Sequence, residues 1–254
     1  MSASYPTKVF LAMKSGNICA FKECRKTLTS DGADSNPAVI GEAAHIYGES
    51  PGTKTKPASA RYRGDMTDAQ RNHYNNLIYL CPTCHTKIDK QEKDHHAELL
   101  FALKAEHESW VADQLDQGMS EVSFAELEVA AKALASGKHS SNGDSFEVIP
   151  PEEKINKNGL SDAMRSDIAM GLSKSHEVER FLANMATNVD EDFPERLKSG
   201  FKEKYLELKT TLSGDELFAS MLAFAQAGQK GFRQQAAGLA ILSHLFHLCE
   251  VFEK

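Results

Sequence analysis

The chain has 254 residues, 41% of them hydrophobic and 26% charged, with 29 Lys and Arg against 36 Asp and Glu and a formal charge of -7. That length suits one large domain or two ordinary ones, with enough apolar content for a core. No apolar run approaches the ~18 residues of a bilayer span, the first residues lack a signal-peptide stretch, so the cytoplasm is the expected compartment, and the acidity argues against a nucleic-acid partner.

The charge is unevenly placed. Residues 1–90 hold 12 basic and 8 acidic side chains, +4, whereas the remainder holds 17 and 28, -11. The basic part is rich in turn formers (Gly16, Gly32, Gly41, Gly48, Pro51, Gly52, Pro57, Gly64), which predicts short elements. Ala38–Ile40 and Leu77–Leu80 read as brief strands. After Cys81-Pro82 the pattern turns helical and runs to about Ala135, with Leu99, Leu100, Leu103, Trp110 and Val111 on one apolar face. Residues 136–151 are polar and end in Pro-Pro, as a linker would. Beyond them, Ser161-Asp162, Ser175 and Gly214-Asp215 mark helix starts and Phe193-Pro194 a break. Leu239, Leu242, Leu245, Phe246, Cys249 and Phe252 give the last helix a broad face, on which Cys249 is buried packing. The expected organisation is α+β: a small nucleus with trailing helices over 1–135, a linker over 136–152 and an all-α domain over 153–254.

Cys19-x4-Cys24 and Cys81-x2-Cys84 are two chelate halves separated by 56 residues. In a reducing compartment such spacing favours metal over disulfides. Four thiolates satisfy tetrahedral Zn(II) and leave no open position, so the ion would be structural. Inside the loop lies Gly41-Glu42-Ala43-Ala44-His45-Ile46. Asn75-Asn76-Leu77-Ile78 precedes the second pair, and His85 follows it at once, with Asp89 four residues on.

Together, over about residues 8–95, these motifs resemble an HNH endonuclease of the ββα-metal type, in an Ala-His-Ile variant. The resemblance implies a small zinc-stabilised ββα-metal nuclease domain. In it His45 takes a proton from water, Asn76 holds that imidazole in its productive tautomer, and His85 binds a catalytic Mg or Mn. Many such sequences carry an acidic metal ligand just before the first histidine; here that position is Ala44. Helical i, i+4 spacing puts Asp89 on the same face as His85, which makes His85 and Asp89 the expected metal pair. Glu42 is the weaker candidate, because strand alternation aims it away from His45. His73, His95, His96, His107 and His139 are expected at the surface.

Lys54, Lys56, Arg61, Arg63 and Arg71, with Tyr62 among them, form a basic stretch between the two histidines. It could follow a phosphate backbone without reading sequence; the competing reading for Arg71 is a structural pair with Asp65. From about Asn156, Asn158-Gly159-Leu160, Phe193-Pro194, Gly214-Asp215-Glu216-Leu217-Phe218, Gln234-Gln235-Ala236-Ala237 and Leu245-Phe246 occur in order. They resemble the helical C-terminal domain of prokaryotic ABC three-component systems. That resemblance implies an effector tied to an SMC- or Rad50-like ATPase, sometimes with a third small subunit, in anti-phage or anti-plasmid defence. A helical dimerisation domain, giving a homo-oligomer, is the plainer reading. The expected whole is therefore a metal-dependent HNH endonuclease acting on DNA. The alternative is a catalytically inactive, zinc-stabilised DNA-binding or adaptor module, which Ala44 keeps open.

Overall fold

A computed structural model of the chain describes residues 3–30, 38–135, 150–226, 231–248 and 251–253. His139, Cys249 and most of the expected linker lie outside the described residues. Two compact units divide the chain, residues 1–113 and 114–254. The class is α+β, and among the described residues no helix is long and apolar enough to cross a membrane.

In the first unit, α1 spans Tyr5–Lys14, started by the Ser4 hydroxyl, which accepts from Thr7 N. The short strands β1 (Thr29–Ser30) and β2 (Ala38–Val39) pair antiparallel. Next come β3 (Glu42–His45) and α2 (Asp68–Arg71), whose start is closed by a Thr67/Gln70 capping box. A 3-10 turn over Tyr74–Asn76 leads into β4 (Leu77–Leu80), then α3 (Pro82–Lys90) and α4 (Ala97–Ser120). β3 and β4 pair antiparallel with Glu42 opposite Leu80 and His45 opposite Leu77.

All four β4 residues are buried, joining Leu11, Leu28, Ile46, Ile88 and Leu100 in one core. Each such aliphatic side chain contributes roughly 1.5–3 kcal/mol by leaving water. This explains why β4 reads as a continuous apolar run. Gly41 is required before β3, because the Tyr79 ring occupies the space a Cβ would need.

Of the histidines expected at the surface, His73 and His96 are exposed and His95 is half-buried, edge-on to Phe21. His107 is a correction: it is 1% exposed. Its Nδ1 accepts from Arg25 and its Nε2–H donates to Ser15 O at 3.2 Å, while the Arg25 guanidinium stacks 3.9 Å over Trp110. These contacts fasten α4 to the segment that carries the first cysteine pair.

The second unit is helical: α5 (Phe124–Leu134), α6 (Pro151–Lys157), α7 (Asp162–Leu172), α8 (Ser175–Asn188), α9 (Phe193–Leu208), α10 (Gly214–Ala225) and α11 (Phe232–His247). α11 is buried continuously from Gln235 to Phe246 and packs on α5, α7, α8 and α10. Gly171 of α7 lets the two helices close, since a Cβ there would meet Ser243. The helix expected to run through Phe252 ends at His247, and the chain turns back with Phe252 at φ +68°. Phe252 still reaches the core, where its ring lies 5.2–5.8 Å from those of Tyr205, Phe246 and Phe218. The buried Lys154 holds this return by donating to Phe246 O at 2.8 Å and Val251 O at 2.6 Å.

Candidate active site and metal centres

Cys81 caps α3: its Sγ accepts from Cys84 N, and its own N–H donates to Cys19 Sγ, both at 3.4 Å. The Sγ atoms of Cys19, Cys24, Cys81 and Cys84 all lie within 4.8 Å of one another, with Cys24 and Cys81 3.9 Å apart. Four sulfurs bound ~2.3 Å from one tetrahedral ion are ~3.8 Å apart, so the donor set fits such an ion. Burial pushes the Cys19 thiol up to about 11. A cation is what would make the buried Cys19 a thiolate at neutral pH.

His45 ends β3. Its Nε2 lies 3.1 Å from Asn72 Oδ1, and the Asn72 Nδ2 donates to Asp68 O at 3.0 Å. The second bond fixes which way the amide faces, so its oxygen meets the imidazole and Nε2 carries the hydrogen. No hydrogen bond to Nδ1 is found among the described residues. Asn76, expected to perform this service, does something else. Its Oδ1 accepts from Tyr47 N at 2.9 Å, and its Nδ2 donates to Tyr47 O at 3.0 Å and Arg71 O at 2.8 Å. Asn76 is 4% exposed and fixes the backbone just beyond His45. Asn72 was invisible to motif reading. The capping box at Thr67 is legible as the start of α2, but nothing in it marks Asn72, which closes that helix.

His85 stands in the first turn of α3 between two carboxylates. Nδ1 is 2.7 Å from Glu42 Oε2, and Nε2 is 3.4 Å from Asp89 Oδ2. The other Asp89 oxygen accepts from Arg61 Nη2 at 2.9 Å. Ala44, at the position where an acid would help hold metal, is fully buried. Among the described residues, only the four cysteines bring three or more ligand atoms together this closely.

Residues 127–253, half of the chain, match the model of C-terminal domain 10 of the ABC-three component (ABC-3C) systems. The chain belongs to that family. Residues 19–92 match the model of an HNH endonuclease, so this ABC-3C protein joins a region similar to HNH endonucleases to the C-terminal domain. No curated protein matches the chain.

The basic stretch of the ABC-3C protein divides in two. Arg61, at φ +55° and with a side chain only 6% exposed, donates to Ile46 O, Ile88 O, His45 O and Asp89. Arg71, 3% exposed, donates to Gly48 O, Arg63 O and Met66 O and stacks 4.3 Å from Tyr62. Both were expected to bind substrate; their donors are instead committed to main-chain carbonyls and, for Arg61, to Asp89 as well, and they hold the loop. Nor does Arg71 pair with Asp65, whose carboxylate takes Arg63 and is held below its usual range by it. Lys54, Lys56 and Arg63 are exposed. Arg63 borders a groove of about 540 Å³ shared with Tyr47, Gln70, His73 and Asn76.

Proposed function

We propose that this chain is a metal-dependent HNH endonuclease that hydrolyses phosphodiester bonds of DNA as the effector of its ABC-3C defence complex. The observation that carries this reading is the His45–Asn72 bond. It leaves Nδ1 of an otherwise held imidazole as the free base, on a strand hydrogen-bonded to the one that leads into His85. His45 Nδ1 takes the proton of the attacking water, and Asn72 Oδ1 stabilises the imidazolium through Nε2–H. Asn76 and Arg61 hold the backbone on which His45 sits. His85 and Asp89 would hold a divalent ion, Mg or Mn, which when bound neutralises charge on the phosphate and the departing oxygen. Cys19, Cys24, Cys81 and Cys84 would hold a structural zinc. Lys54, Lys56 and Arg63 supply sequence-independent contacts to the DNA backbone, and the helical half docks an SMC- or Rad50-like ATPase.

Plasmid nicking by the co-purified complex in Mg(II) or Mn(II), with and without EDTA, tests the reading. His45→Ala is expected to lower the rate by ~10²–10⁴-fold, the usual range for a general base, with folding intact. An unchanged rate overturns the assignment. Ala44 favours a second reading, an adaptor without catalysis. Metal-independent DNA binding by a wild-type complex that never nicks would establish it.

A further inference from the structure

Glu42 begins β3, two residues before the buried Ala44, and its carboxylate reaches His85 on α3. Alternation aims it away from His45, and its partner is the second histidine. An ionised carboxylate only accepts, so the hydrogen in the 2.7 Å contact belongs to His85 Nδ1. With the hydrogen on Nδ1, Nε2 is the ring nitrogen left to ligate a metal. Nε2 lies 3.4 Å from Asp89 Oδ2, longer than a good hydrogen bond. The second Asp89 oxygen is already engaged by Arg61. Ligand atoms on one ion with bonds of ~2.1 Å sit about 3.0–3.4 Å apart, depending on geometry. The two sides of the ring therefore differ in kind: a short hydrogen bond on one, an ion-sized gap on the other.

We propose that Glu42 is a positioning residue, which fixes His85 as the Nδ1–H tautomer and so turns Nε2, beside Asp89, to the catalytic cation. Arg61 does the corresponding work for Asp89. This arrangement gives both ligands of the metal pair a held outer partner, and it shows how the site works with alanine at position 44. The inference rests on the reading of His85 as a metal ligand.

Its test is Mn(II) binding to the full-length, zinc-loaded protein by titration calorimetry, beside ¹⁵N NMR of the His85 ring in the Mg(II)-loaded protein. Glu42→Ala is expected to weaken Mn(II) binding 10–100-fold, the usual effect of losing such a partner. Glu42→Gln, whose amide oxygen can still accept from Nδ1–H, should recover most of that loss. Zinc content and melting temperature should stay at wild-type values, because the Glu42 side chain is 45% exposed. Wild-type affinity in Glu42→Ala, an Nε2–H or doubly protonated ring in the Mg(II)-loaded wild type, or equal losses in both variants with a lowered melting temperature would each overturn the proposal. Undiminished Mn(II) binding by His85→Ala would instead show that the metal assignment itself is wrong, and the role of Glu42 would fall with it.

Discussion

Two asparagines four residues apart serve His45 in different ways. Asn72 touches the ring, whereas Asn76 secures the backbone beneath it through three bonds to main-chain groups. The two variants should therefore fail differently. Asn72→Ala is expected to slow nicking at least tenfold while leaving the melting temperature nearly unchanged. Asn76→Ala orphans the Tyr47 N–H and two carbonyls in a buried setting, at roughly 1–3 kcal/mol for each group left unsatisfied. It should lower the urea midpoint before activity is considered. Melting and nicking measured in parallel on both proteins separate these roles. Motif reading assigned the imidazole contact to Asn76 because that residue directly precedes Leu-Ile. What it could not contain is the path of residues 46–72, which returns α2 to the end of β3. The same limit applies to Arg61 and Arg71: spacing identifies basic side chains but not the carbonyls that absorb their donors.

At the scale of elements, α3 was legible in its own residues, whereas the strand expected at Glu42–His45 came with the family resemblance. Cys81-Pro82 supplies a capping side chain and a helix-opening proline in consecutive residues. Glu-Ala-Ala-His has no β-branched residue to mark it as a strand; pairing with the apolar β4 makes it one. The histidine that fastens α4 was likewise misplaced at the surface, because its burial depends on an arginine over eighty residues away. That fastening has a pH signature. Burial, with the facing Arg25 second, pushes His107 down to about 4, and burial does the same to His244 in the other unit. Unfolding returns each ring to ~6.5, so the unfolded chain binds protons that the folded one refuses. Stability is then full above about pH 7 and declines as pH falls from ~6.5 towards 4, by about 3 kcal/mol for each ring. Urea midpoints taken across that range check it, and His107→Gln should remove its share of the slope.

For the whole molecule, the -7 reads differently once the units are known. Residues 1–113 carry 14 basic and 14 acidic side chains, and residues 114–254 carry 15 and 22. The first unit is therefore neutral, not +4, because residues 91–113 add Glu92, Asp94, Glu98, Glu106, Glu108 and Asp113 against only Lys93 and Lys104. Net charge gives the first unit no attraction for nucleic acid, and the exposed Lys54, Lys56 and Arg63 must act locally. Fold class and both family resemblances were legible, because cysteine spacing and helical periodicity are properties of the chain itself. The proposed zinc site makes the cysteine cluster a determinant of the first unit's stability. Cys81→Ser should abolish stoichiometric zinc and lower the melting temperature by well over 5 °C, and a strong chelator acting on the wild type should do the same. Metal analysis paired with calorimetry checks both.

The position of those cysteines has a consequence for the cell. One pair lies before His45, Arg61, Asn72 and Asn76 in the chain, and the other lies after them. On the proposed reading of the cluster as a zinc site, until an ion joined the pairs a newly made polypeptide would hold the parts of the candidate site on an unclosed length of backbone. On that same reading, the supply of zinc would decide how many copies leave synthesis with the candidate site assembled. A cell starved of it would accumulate protein that is intact in sequence and lacks that site.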